Sequence, residues 1–160
     1  MDTTPSLLAE LDALPARWEV EGTLAAPVAP VAALLLRVAE GRVGDDNLLV
    51  LARASAARQG AMTVVAGAGA GVYRAALAGP VEPVSIEVDG TGPRLAVQSW
   101  YAGIHTVTAC SEGSRVTHHV HRVLPDHPGF APGIAEIGLR ARMSRDLEHM
   151  LGVIADRLGF

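Results

Sequence analysis

The side chains able to do chemistry concentrate between Ile104 and Leu124. There His105, His118, His119, His121 and Arg122 stand in two alternating runs separated by Glu112-Gly113. If Glu112-Gly113 is a two-residue hairpin loop, Ala109 opposes Val116, Val107 opposes His118 and His105 opposes Val120. One face then carries His105, Val107, Ala109, Val116, His118, Val120, Arg122 and Leu124. It is mainly apolar, so it should look inward and take His105, His118 and Arg122 with it. Buried imidazole and guanidinium groups need partners, so these three either satisfy one another or orient a guest. A register slipped by one residue would set His105 across from His121, beside His119, as three imidazoles for zinc. No carboxylate or cysteine cluster strengthens that arrangement, so no metal is expected.

Two further pairs carry polar groups near strand ends. Tyr73 and Arg74 come just after a glycine-rich loop, and Trp100 and Tyr101 precede the hairpin. Each pair sends one residue inward and one outward, and the sequence does not settle which; Arg74 and Tyr101 are the candidates for an interior site. Gly67-Ala68-Gly69-Ala70-Gly71 lacks the third glycine of a dinucleotide fingerprint, and the residues after it are strand-like, so it reads as a hairpin loop. Cys110, the only cysteine, cannot form an internal disulfide and reads as a small hydrophobe on a strand.

The elements that must position these groups are set by periodicity. Trp18, Val20 and Leu24 point one way while Arg17, Glu19, Glu21 and Thr23 point the other, as in a half-buried first strand. Pro27 ends it; Val31 to Glu40 reads as a helix stopped by Gly41, and Asp45 or Asp46 caps a second helix to about Arg58. Strands are expected at Met62–Ala66, Val72–Ala78, Val84–Val88, Arg94–Tyr101, Ile104–Cys110 and Arg115–Leu124. Ile134, Ile137, Ala141, Ser144, Leu147, Leu151, Ile154 and Leu158 recur every three or four positions and define a long closing helix. Met143, Met150 and Val153 widen its apolar stripe, and the two methionines are suited to adapt to varied apolar guests. Glu136/Arg140 and Arg142/Asp146 mark the solvated side.

Composition bounds the function. At 160 residues the chain reads as one domain, with residues 1–16 as an N-terminal helix or tail bearing Leu7, Leu8, Leu11 and Leu14. A formal charge of −4 gives no global attraction for nucleic acid or anionic membranes. No apolar stretch reaches the roughly 18 residues of a membrane span, and Met1 to Pro15 lacks the pattern of a signal peptide, so a cytoplasmic protein without membrane insertion is expected. All thirteen basic residues are arginine. The lack of lysine excludes a Walker phosphate loop, a pyridoxal Schiff base and a lysine nucleophile, and no cofactor is expected.

With that order of elements, the chain resembles the START-like (SRPBCC) superfamily, in the branch of polyketide cyclases/dehydrases and lipid-transfer proteins. The match lies in Thr23-Leu24-Ala25-Ala26-Pro27, then Val31 and Leu34, and in the closing Leu147, Leu151, Ile154 and Leu158. The resemblance implies an α+β helix-grip fold: a curved antiparallel sheet of about seven strands wrapped around a long C-terminal helix, with two short helices between the first and second strands. It also implies a pocket between the concave sheet and that helix.

Three functions fit. The first is binding of a small hydrophobic molecule, such as a lipid, fatty acid or polyketide-like aromatic, by Arg74, Tyr101, His105, His118, Arg122, Met143 and Met150. The second is an aromatic polyketide cyclase/dehydratase, in which Tyr101 or His118 handles the proton and Arg122 or Arg74 stabilises an enolate. The third is a structural or interaction protein with a packed core, whose N-terminal leucines dock on a second subunit to form a homodimer.

Overall fold

The computed structural model describes residues 5–43, 47, 62–77, 84–99, 101–123 and 132–160, with side chains of the last helix from Gly138 onward. The second helix expected from Asp45 or Asp46 to Arg58 (apart from Asn47), Trp100, and most of the linker after Leu124 lie outside these residues.

Eight strands form one antiparallel sheet: β1 (Trp18–Leu24), β2 (Gly41–Arg42), β3 (Met62–Ala66), β4 (Val72–Leu77), β5 (Val84–Asp89), β6 (Arg94–Gln98), β7 (Tyr101–Cys110) and β8 (Gly113–Val123). Their order across the sheet is β1-β8-β7-β6-β5-β4-β3-β2. Helices α1 (Leu7–Asp12), α2 (Val28–Leu35) and α3 (Pro132–Leu158) complete the described elements. The expected sheet of about seven strands gains β2, a two-residue piece that pairs Gly41 with Val64 and Arg42 with Thr63.

Helix α2 begins three residues earlier than the periodicity suggests. Pro27 takes the N-cap position at φ −61°, and Pro30 falls in the first turn, where a missing N–H costs nothing. It also stops earlier, before Gly41. Buried Asn47 accepts from Ala39 N at 2.7 Å and donates to Ala39 O at 3.2 Å, so that peptide is engaged by a side chain.

The sheet is clad on both faces. On the inner face, Leu24, Val64, Ala75, Ile86, Leu95, Val97, Val107 and Val116 join Leu147, Met150, Leu151 and Ile154 of α3 and Val31 and Leu35 of α2 in the main core. The buried stripe of α3 runs Leu139, Met143, Leu147, Met150, Leu151, Ile154. It is rotated from the expected one: Ala141 is exposed and Ser144 only half-buried, so the methionines are central. Gly22 lets α3 approach β1 closely, because a Cβ there would lie 2.4 Å from Leu151 Cδ1.

On the outer face, Leu8 and Leu11 of α1 pack on Ala96, Ala102 and Ile104. The leucine side expected to meet a second subunit thus covers the chain's own sheet, and only Leu14 remains a large exposed leucine there.

Candidate functional site

Two neighbouring strands build the site, and their register differs from the expected one. The β7–β8 loop is Ser111-Glu112, with Cys110 opposite Gly113, so Val107 faces Val116 and His105 faces His118. The shift is by two positions in pairing, which preserves which side chains share a face. His105 and His118 therefore stand on the inner face as expected, but directly across from each other. Each is about 3% exposed. Their rings stack with centroids 3.7 Å apart and planes at 23°.

Gly103 makes room for this pair. A Cβ at Gly103 would lie 2.8 Å from His118 Nε2 and 2.5 Å from the His119 carbonyl oxygen. The inner face thus has a gap in side chains at one rung, filled by the imidazole of the next. Beyond it stand Tyr101 and Val120, buried with Leu139 and Met143 of α3 in a separate apolar cluster. Trp18 Nε1 donates to Met143 Sδ at 3.1 Å on its border. The histidine rung accordingly lies between two apolar groups, Val107 and Val116 with the main core on one side and Tyr101, Val120 and Met143 on the other.

Arg122 leaves the inner face because of a bulge. Gly103 pairs with Val120, but Ala102 pairs with Arg122 and Tyr101 with Val123, the register shifting between Ala102 and Gly103. The extra residue, His121, turns the end of β8 so that Val123, not Arg122, joins the Tyr101 cluster. Arg122 instead bonds Gln98 Oε1, and its Nη2 lies 3.4 Å from Glu10 Oε2 of α1. The inward placement of Arg122 is corrected. In the pair Tyr73-Arg74, whose inward member the sequence leaves open, Tyr73 packs on the core and the candidate Arg74 is exposed.

His119 and His121 also face outward. His119 Nε2 lies 2.6 Å from Glu19 Oε2, His121 Nδ1 lies 2.9 Å from the Leu14 carbonyl oxygen, and the two rings meet edge-on at 6.1 Å. The three imidazoles of the zinc arrangement are thus divided between opposite faces. Among the described residues, no group of three or more His, Cys, Asp or Glu could hold a metal ion.

Of the seven candidates, the inner face brings together Tyr101, His105, His118, Met143 and Met150 and turns Arg74 and Arg122 away. Among the described residues no aspartate, glutamate or arginine is buried; the buried polar side chains are Asn47, His105, Ser114 and His118. The outer face is charged. Arg94 Nη1 reaches both Asp12 carboxylate oxygens at 2.9 and 3.0 Å, Ser6 Oγ donates to Glu87 at 2.5 Å, and Leu8 N donates to Glu87 at 3.2 Å. A depression of about 390 Å³ lies among these groups, but its charged side chains engage α1 or one another. Sequence reading missed Trp18 and Gly103 as parts of the site. The alternation of β1 places Trp18 inward, but nothing in the sequence marks Gly103 as the seat of a ring.

No family model and no curated protein matches the chain in sequence. Among the described residues no helix is long and apolar enough to cross a membrane. Solved structures do match in shape. The KanY protein is 21% identical over 89% of this chain and 98% of its own, at a TM-score of 0.56. Ara h 8.0201 is 14% identical over 87% of this chain and 97% of its own, at 0.52. At these identities the likeness is one of fold: a curved antiparallel sheet closed by a C-terminal helix, the helix-grip fold.

Proposed function

We propose that the protein binds a small hydrophobic molecule bearing one polar, hydrogen-bonding group in the interior between the sheet and α3. The observation that carries this reading is the stacked His105/His118 pair, buried between two apolar clusters. A polar rung inside an apolar interior fixes the orientation of a guest whose remaining surface is bound by burial alone. Tyr101 adds a phenol on the same face, and Met143 and Met150 lie one in each cluster, where their unbranched chains adapt to guests of different outline. A lipid, a fatty acid or a polyketide-like aromatic meets these requirements.

The test is a thermal-shift panel of fatty acids, sterols and flat phenolic polycycles, with native mass spectrometry of the gently purified protein. Binding raises the midpoint as ligand exceeds Kd. His118→Phe keeps a flat ring on β8 but removes its donor and acceptor, so it should abolish the preference for an oxygenated guest over its hydrocarbon analogue. Failure of every compound to stabilise the protein, with no bound mass, would refute the reading.

An aromatic polyketide cyclase or dehydratase is the second reading. It keeps Tyr101 and His118 as proton-carrying groups on one face. It lacks the enolate-holding arginines expected for it, since Arg74 and Arg122 face outward. Incubation with a reactive polyketide chain decides it: a product profile unchanged by Tyr101→Phe and His118→Phe excludes these roles.

A further inference from the structure

The end of β8 stands in a register shifted between Ala102 and Gly103. Continuing the rungs His105/His118 and Gly103/Val120 without interruption would set Arg122 opposite Tyr101, both on the inner face. The bulge prevents this by giving that place to Val123. Little else in the sheet enforces it. Strand β1 accompanies β8 only as far as Trp18 opposite Val120, with Arg17 N donating to the Val120 carbonyl oxygen at 2.7 Å. Beyond that point β8 is paired on one side alone. The contacts on the two bulge residues come from α1, the link after it and β6: Leu14 holds His121, while Glu10 and Gln98 hold Arg122.

We propose that α1, acting with Gln98 of β6, determines which guests the interior accepts, by holding Arg122 on the outer face. This rests on the reading of the interior as a binding site. With Arg122 outside, no arginine, aspartate or glutamate is buried among the described residues, which suits a neutral guest. With the bulge removed, a guanidinium would stand beside Tyr101 and the histidine rung, and would bind a carboxylate there. Desolvation decides between the two states: a guanidinium among Val120, Leu139 and Met143 is unfavourable unless an anion accompanies it, so the empty protein keeps the bulge. Only an anionic guest draws Arg122 inward, and it must break the α1 clamp to do so. The clamp can be released. A six-residue helix is too short to persist undocked, and residues 13–17 after it are exposed.

Calorimetric titration with decanoate and decanol, which share a chain length and differ in charge, tests the proposal on the full chain. Glu10→Gln cuts the ion pair with the fold intact, and Glu10→Gln with Leu11→Ser undocks the helix. The affinity ratio of decanoate to decanol should rise by about fivefold with the first and by more with the second, the scale expected for a half-exposed pair. Adding Arg122→Gln should return the ratio to that of the parent. A ratio that does not move while both compounds bind overturns this proposal and leaves the binding reading standing. A rise that survives Arg122→Gln also overturns it, by assigning the gain to the uncovered outer face. If neither compound binds the parent or any variant, both fall.

Discussion

The two faces of β7 and β8 are built from the same alternating residues and do opposite things. Inward, Tyr101, Val107, Val116 and Val120 share apolar clusters with α3, and His105 and His118 stack on each other. Outward, Ala102 and Ile104 carry a six-residue helix whose leucines are few and whose rim is ionic. The inner cladding is held by area removed from water, at roughly 25 cal/mol per Å². The outer one depends on two buried leucines and exposed pairs that contribute at most about 1 kcal/mol each. A cover of the second kind can come and go while the first stays in place.

That contrast breaks most sharply at a single buried side chain of α3. Ile154 is fully buried in the main core, so Ile154→Ala should cost about 4 kcal/mol in urea unfolding, through lost transfer and a cavity the sheet cannot close. A cost below about 1 kcal/mol would show that the inner face is loosely filled. Gly103→Ala comes next, at about 2 to 3 kcal/mol, because the added methyl meets a backbone carbonyl that cannot move aside. It should also displace the His118 ring, so the ring-proton shifts of both histidines in an NMR spectrum must change together. Leu11→Ala on the outer face should cost about 2 kcal/mol, the low end for a buried leucine, since a short helix can settle into the space. Its distinguishing mark is faster proteolysis after Ala13 to Arg17 with the sheet still intact.

The sequence makes one face legible and hides the other for a physical reason. Period-two alternation survives a pairing error of two, so His105 and His118 fall on the correct face even from a wrong register. Alternation does not survive a bulge. His121 has no composition cue marking it as the extra residue, and every side chain after it changes side, which is why Arg122 stands on the face opposite to the expected one. Arg74 fails for lack of a tie-breaker: in Tyr73-Arg74 either residue could face in, and burial of Tyr73 on the core decides it. The stripe of α3 is legible as a stripe, but several apolar residues fit a 3.6-residue period in more than one phase. Contact with Val120 and Tyr101 selects Leu139 and Met143 over Ala141 and Ser144, while Leu147 keeps its expected place and joins the main core.

The smallest effect belongs to the outer rim and is read in acid. Asp89 closes the turn after β5, accepting at Oδ1 from Thr91 Oγ1 at 2.6 Å and Thr91 N at 2.9 Å. The Thr91 hydroxyl, then its amide, hold the Asp89 carboxyl below its ordinary value of 3.8. A carboxyl depressed by folding adds stability above its unfolded value, and that stability is lost as pH falls through the folded one. Thr91→Val removes the hydroxyl and part of the depression. At about pH 6 the variant should therefore melt slightly below the parent, and the gap should close as the pH falls past the ordinary carboxyl value and through the depressed folded one. Asp89 lies at the surface and Arg94 stands 3.7 Å away, so added salt should narrow the gap only a little: the hydrogen bonds lead and the ion pair is the smallest contribution. A gap that persists unchanged into acid would mean that Thr91 acts through the shape of the turn and not through the charge of Asp89.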